Sequence, residues 1–477
     1  MKQQADLGSG RIGRLLFQMA IPTIIAQVVN ALYNIVDRIY IGHIPGVGAT
    51  ALTGVGLTFP LIMIISAFSM LVGMGGAPRV AMRMGENDHK GAEEIIGNCT
   101  ATLAVISVVL TILTFLLAEP LLLMFGGNAE TTLPYAVQYM HIYAIGTFFV
   151  QMVLGLNLFI TAQGFSMTSM KTILIGAVTN IVLDPIFIFV FHMGVQGAAL
   201  ATILSQCLSA VWVLRFLTGS KTTLRIRKCY LRFRPRVMLP VLALGMSPFI
   251  MQITESALNI SFNTSLYQFG GDLAVGAMTI VSSVMQFAMM PLQGLTQGAQ
   301  PIVSFNFGAG NVKRVKAAFQ LLLISSVIYS TLLWSVSMFL PQAFVGMFSS
   351  DPQLTVIGIW AVRISMAACL LFGIQVACQQ TFIALNEAPI SIFLAVLRKV
   401  ILLIPLIFIL PRLLPAEALG WMIPASVREL LQGFEPAKVC AVYLAEPAAD
   451  FLAVVTTATM FAVNFKKILK KKALEKE

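Results

Sequence analysis

The chain has 477 residues, of which 58% are hydrophobic and only 11% charged, and its mean hydropathy is +0.87. A soluble domain carries about 25% charged residues, so this composition excludes an ordinary globular domain in water and points to a chain solvated by lipid. The formal net charge of +11 calls for no nucleic acid, because the basic residues follow the distribution expected of a membrane protein.

Apolar stretches long enough to cross a bilayer, about 20 residues each, recur along the whole chain. Twelve are expected, at 15–42, 51–77, 94–117, 134–161, 170–192, 196–217, 239–267, 273–300, 317–340, 353–384, 389–411 and 439–463. With the N-terminus placed inside, the inner segments collect most of the 31 lysines and arginines. They include Lys2, Arg11 and Arg14, the run from Arg215 to Arg236, Lys313 to Lys316, and the C-terminal group ending in Lys476. The outer loop at 119–133 has no basic residue. This positive-inside pattern puts both termini in the cytoplasm of a multi-pass protein of the cell inner (cytoplasmic) membrane. No cleavable signal peptide is evident, since the N-terminus is polar and the first apolar run is long enough to span.

The chain reads as one membrane unit written twice. Ala20-Ile21-Pro22 aligns with Met246-Ser247-Pro248, and Gly76-Ala77-Pro78 with Ala299-Gln300-Pro301. Each copy then holds six spans, so both begin inside and the repeat is parallel. The expected fold is an all-α integral membrane protein with twelve transmembrane helices in two pseudo-symmetric six-helix bundles. The expected division is an N-terminal lobe at 1–218, a basic cytoplasmic linker at 219–236 and a C-terminal lobe at 237–477, with an extracytoplasmic insert near 415–438. Within the insert, Ala425-Ser426-Val427-Arg428-Glu429-Leu430-Leu431 has the makings of a short helix.

Ionisable groups inside spans are costly, so each is a candidate for function. In span one, Asn30, Tyr33, Asn34 and Asp37 fall at i, i+3, i+4 and i+7, which puts four polar groups on one helix face. In span five, Asn180 and Asp184 share a face, and Pro185 loosens the backbone beside them. Thr202 and Ser205 add hydroxyls on span six. Asp184 lies thirteen residues beyond Lys171, about 20 Å along a helix, in the outer half of the lobe. Two carboxylates, an amide and hydroxyls suit either an oxygen-rich cage for Na⁺ or a pair that shares a proton. Arg38 is read as an outer-interface residue. Asp37 lies fifteen residues after Pro22, and the equivalent position after Pro248 is Asn263, so only the first copy keeps the acid.

Glu255 in span seven has no mate in the repeat, because Val29 stands at its equivalent. A lone carboxylate lining a cleft attracts cations. Glu446 and Asp450 in span twelve are i, i+4 around Pro447, with Glu446 near the outer end, where exposure to water is the competing reading. Arg398 and Lys399 in span eleven either snorkel inward or pair with an acid of the second lobe. The 25 Met and 32 Phe suit an adaptable apolar surface, though membrane cores use both for packing.

Other motifs carry nothing. The Gly8-to-Gly13 run matches GxGxxG but has no strand before it and no βαβ unit after it. Three Asn-x-Ser/Thr sites lie in or beside spans. The four histidines have no partners at ligand spacing, and the six cysteines read as packing residues. No clustered catalytic constellation is visible, so an enzyme is not expected, and no cofactor is expected.

The run Asn30-Ala31-Leu32-Tyr33-Asn34-Ile35-Val36-Asp37-Arg38 resembles the first helix of multidrug and toxic compound extrusion (MATE) transporters. Asn180 to Pro185 and Gly298-Ala299-Gln300-Pro301 carry the same resemblance, and Leu444-Ala445-Glu446-Pro447 with Asp450 is similar to the MepA-like bacterial subgroup. The resemblance covers the chain apart from the insert. It implies export of cationic or amphipathic drugs in exchange for H⁺ or Na⁺, from two six-helix bundles about a cleft, and a monomer is expected. The implied cation site falls on Asp37, Asn180, Asp184 and Thr202, with Tyr33 and Asn34 alongside and no metal beyond Na⁺ there. Glu255 and Asp450, read from their own charge, are expected to bind substrate, together with Tyr139, which the resemblance puts near the cation site. Some family members pair a span-seven Glu with a span-ten Asp, but span ten here has no acid. The alternative within the superfamily is a flippase for a lipid or lipid-linked saccharide. Such proteins often use basic cavities, whereas the intramembrane charges here are mainly acidic.

Overall fold

The computed structural model describes residues 4–348 and 351–474; Lys2 and Lys476, assigned above to the inner side, lie outside them. Among the described residues all regular structure is helical. A backbone crossing a bilayer must satisfy its own N–H and C=O groups, and in apolar stretches of this length a helix does so within one segment.

The first six spans are α1 (Ile12–Gly42), α2 (Gly48–Gly85), α3 (His89–Met124), α4 (Leu133–Ala162), α5 (Ser166–Pro185), continued by a π-helical turn at Ile186–Val190, and α6 (Gly194–Thr218). Pro22 lies inside α1 and leaves the Gln18 carbonyl without its helical donor. The Ser166 hydroxyl donates to that carbonyl at 3.2 Å, so α5 closes the gap that the proline opens.

The next helical run, α7 (Pro235–Gly308), has 74 residues. At 1.5 Å per residue it would extend about 110 Å, several times the ~30 Å bilayer core, so it has to turn back. It does so at Gly271, whose φ of 62° and ψ of −158° are non-helical. A side chain there would also meet the Phe434 ring, so both conformation and space demand glycine.

Then follow α8 (Val312–Phe339), the short α9 (Pro341–Val345), α10 (Pro352–Ser365), α11 (Cys369–Ala384) and α12 (Ala388–Val396). A second π-helical turn at Leu397–Leu403 leads into α13 (Ile404–Leu413). The short α14 (Ala416–Leu419) and α15 (Ala425–Leu430) precede α16 (Pro436–Leu474). Ten helices pass a length-and-hydropathy test for spanning, and α10 with α11, bent by 50°, form one more broken span. With α7 divided at Gly271, twelve spans result among the described residues, at the places expected from the sequence.

Two compact units emerge. The first comprises Met1–Gln252, Gln297–Ala318 and Ile383–Ala388; the second comprises Ile253–Thr296, Phe319–Phe382 and Pro389–Glu477. The first unit therefore includes both ends of α7. Gly75 of α2 and Gly245 of α7 approach so closely that a Cβ on either would strike the other helix's backbone. Arg79 donates to Asn386 Oδ1 at 2.7 Å within the same unit.

The basic segment at 219–236 is fastened to the first unit by acids. Glu93 pairs with Arg227 and accepts from the Arg225 N–H, and Glu94 pairs with Arg234. The Gln163 side-chain oxygen accepts from Thr222 and from the Leu224 N–H, each at 2.8 Å. The N-terminal segment is tied down too. Gln4 donates to the Gln163 carbonyl and Thr223, Asn306 donates to the Leu7 carbonyl, and the Arg314 guanidinium donates to the carbonyls of Ser9 and Gly10. The Ser9 hydroxyl donates to Asp6 at 2.7 Å and holds that carboxyl below its ordinary pKa.

In the second unit the insert is folded, and the short helix expected from 425 onward is α15. Leu419, Ile423, Val427 and Leu431 are buried in that unit's core, and the Trp360 indole N–H donates to the Met422 carbonyl at 2.8 Å. The insert thus contributes apolar burial rather than a loose loop.

Candidate functional site

The first unit gathers its polar groups where α1, α4, α5 and α6 meet. Asp184 is the last residue before Pro185, which cannot donate to the Ile181 carbonyl, and the backbone passes at once into the π-helical turn. Such turns sit frequently at functional positions because the local ladder is already relaxed. Asp184 is fully buried and Asn180 is 1% exposed. The Asn180 amide donates to Asp184 Oδ1 at 3.2 Å and lies 3.4 Å from the Thr202 hydroxyl.

The helix-one face delivers Asp37 to the same place. Its carboxyl lies close enough to that of Asp184 for direct interaction. Neither group can donate to the other without a proton. Asp37 Oδ1, Asp184 Oδ2 and Asn180 Oδ1 are all buried and have no hydrogen-bond donor. Tyr139 of α4 lies beside Thr202, and its ring stacks on Tyr143 with centroids 6.2 Å apart. Tyr33 lies beside both carboxyls. Asn34 is exposed, donates to the Asn30 carbonyl at 2.6 Å and touches Tyr33, so it stands at the edge of the group. Arg38 turns its guanidinium over the Phe59 ring, 5.4 Å from the centroid.

Orphaned buried acceptors are rare and each needs a reason. Three such oxygens, two of them on carboxylates, occur in this one group of side chains, and a shared proton or one hard monovalent cation is the kind of partner that chemistry accepts.

The residues expected to contact substrate divide differently. Tyr139 belongs with the group just described. Glu255 and Asp450 lie in the second unit. The reading of Glu255 as a lone carboxylate is corrected, because Lys399 pairs with it. Arg398 Nε donates to Asp450 Oδ1 at 2.7 Å, so the two span-eleven bases pair with second-lobe acids rather than snorkel away. Glu446, for which exposure to water was the competing reading, is 8% exposed. The bases were visible as an oddity in the sequence, but their partners lie on other spans, and no local spacing reveals them.

The MatE family model matches the chain twice, over residues 22–186 and 248–409, each match opening at one of the two aligned prolines. The chain belongs to the MatE family. Among relatives of this MatE protein, the multidrug export protein MepA of Staphylococcus haemolyticus is 23% identical over 410 residues, 86% of this chain and 89% of that protein. MepA of Staphylococcus aureus is 22% identical over 408 residues, with 86% and 89% covered. The solved structure of the MATE multidrug transporter DinF-BH, a complex with a bound ligand, is 32% identical, covers 96% of this chain and 97% of its own, and superposes with a TM-score of 0.84. A MATE structure in the bent conformation has a TM-score of 0.86 at 21% identity, with 97% and 98% covered. The fold is accordingly that of MATE proteins, all-α with twelve transmembrane helices in two six-helix bundles.

Proposed function

We propose that this MatE protein is a secondary active multidrug exporter that moves cationic or amphipathic compounds out of the cell in exchange for H⁺ or Na⁺. The coupling ion binds at Asp37 and Asp184, with Asn180 and Thr202 as neutral oxygen ligands and Tyr33, Asn34 and Tyr139 around them. The observation that carries this reading is that Asp37, Asp184 and Asn180, which interact with one another, each keep a buried oxygen without a donor. A buried charge is tolerated only with a counter-charge, so loading and unloading one ion here alters the energy of packing α1 against α5 and α6. Relatives that carry the name multidrug export protein support the substrate class.

In this reading the lobes at 1–218 and 237–477 are the moving parts, joined by the segment at 219–236. The protein is a monomer of the cytoplasmic membrane with both termini inside. Glu255 and Asp450 handle substrate charge in the second lobe. The superfamily's lipid flippases offer basic groups to phosphates; here the two deeply buried bases, Arg398 and Lys399, already face acids. Reconstituted protein given a pH gradient or a Na⁺ gradient separately should drive efflux of an organic cation with one of the two. Transport of that cation under neither gradient, with translocation of a labelled lipid instead, would reverse the assignment.

A further inference from the structure

Five ionisable side chains meet inside the second unit, and their charges do not cancel. Arg398 donates to Asp450 and lies with its guanidinium 4.6 Å from the Phe372 ring centroid. Lys399 pairs with Glu255. Glu446 on α16 interacts electrostatically with Asp450, Arg398, Glu255 and Lys399, and the Cys369 thiol of α11 lies within reach of Glu446, Asp450 and Arg398. Two cations thus stand against three carboxylates. The surplus falls on Glu446, which is 8% exposed and whose Oε2 has no hydrogen-bond donor.

A second unsatisfied group is on α11, the helix that supplies Phe372 and Cys369 to the cluster. Gln375 is on α11, three positions after Phe372, the ring against which the Arg398 guanidinium lies. It is 2% exposed, and neither its amide nitrogen nor its oxygen has a partner. Access is uneven. The Lys399 side chain is 5% exposed while that of Glu255 is 53% exposed, so Glu255 is the open edge and Glu446 the interior. The backbone is relaxed at this point as well, since Arg398 and Lys399 sit in the π-helical turn Leu397–Leu403. One uncompensated charge in such a place is costly and has to be met by one positive charge.

We propose that Glu446, with Asp450, Glu255, Arg398 and Lys399, forms a second binding site that holds one positive charge at a time, the onium centre of an organic monocation replacing a proton on Glu446. The exchange balances. The carboxyl O–H bond breaks, the proton leaves to water, and the arriving cation neutralises the carboxylate. Lys399 acts as a tethered counter-ion that competes with the ligand for Glu255. The proposal deepens the export reading and rests on it.

The test uses the full-length protein in detergent and tetraphenylphosphonium as the probe. The Asp37→Asn, Asp184→Asn double variant removes the first-unit carboxylates from the measurement. Calorimetric titration in buffers of different ionisation enthalpy gives the affinity and the protons released per ligand. In this background about one proton should leave on binding, and adding Glu446→Gln should abolish the release and weaken binding by roughly tenfold. Unchanged affinity and release in the Glu446→Gln protein overturns the site. Lys399→Met gives an independent reading should Glu446→Gln fail to fold: binding should tighten about tenfold, and unchanged or weaker binding overturns the counter-ion role. A wild-type protein that neither binds nor exports organic cations overturns the export reading itself, whereas export with proton release insensitive to Glu446 overturns this inference alone.

Discussion

Spans five and eleven hold the same place in the two copies of the repeat, and each switches to a π-helical turn next to a proline. In span five the turn follows Asp184 and Pro185; in span eleven it contains Arg398 and Lys399 and ends just before Pro405. The same backbone device therefore carries acids in one copy and bases in the other. Around span five, acceptor oxygens are left without donors. Around span eleven, acids and bases are already paired, with one carboxylate to spare. Duplication supplied one scaffold with two relaxed points, and divergence of the side chains gave each point its own charge balance.

The contrast can be broken most directly at the carboxylates of the first unit. Asp37→Asn and Asp184→Asn should each reduce gradient-driven efflux from vesicles at least tenfold, toward that of vesicles without protein. The fold should persist, because among the described residues neither carboxylate forms a salt bridge whose loss would leave a buried base unpaired. Wild-type efflux from both variants would mean that the donorless oxygens do not bind the coupling ion.

In the second unit the same kind of change should strike stability. Arg398→Ala leaves Asp450 buried without its partner, a loss of about 3–5 kcal/mol by analogy with other broken buried pairs. Pairing it with Asp450→Ala should recover much of that, as a double-mutant cycle in thermal unfolding would reveal. Additive losses would mean that the pair is not coupled.

A smaller effect is expected of Thr202→Val. It removes the hydroxyl near the Asn180 amide and should lower efflux severalfold at most, since a neutral ligand contributes less than a carboxylate. The smallest effect is expected at Asn263, which holds the place of Asp37 in the second copy. Asn263→Ala should change efflux by less than about twofold, because an amide cannot titrate. A loss equal to that of Asp37→Ala would place a coupling site in both copies.

Much of this was legible in the sequence. Hydropathy located the twelve spans and put a boundary between 267 and 273, where Gly271 breaks the helix. Helical spacing brought Asn180 and Asp184 to one face, and Asp37 to another. What stayed hidden depends on contacts between distant segments. Arg398 and Asp450 are 52 residues apart, and neither periodicity nor capping reports such a pairing. Nor does any local pattern reveal that the ends of α7 join the first unit, since that depends on glycine contacts such as Gly75 with Gly245. The Ser166 hydroxyl answering Pro22 is equally invisible: the proline announces a free carbonyl but not the group that will satisfy it.

Labour is divided between the units, with the coupling ion in the first and the substrate's charge in the second. Equilibrium binding and gradient-driven transport of tetraphenylphosphonium, measured side by side on Asp37→Asn and Glu446→Gln, test it most directly. Asp37→Asn should lose transport while binding stays within about twofold of wild type, and Glu446→Gln should weaken binding by about tenfold. Loss of binding and transport in equal proportion in Asp37→Asn, with Glu446→Gln binding as tightly as wild type, would contradict it.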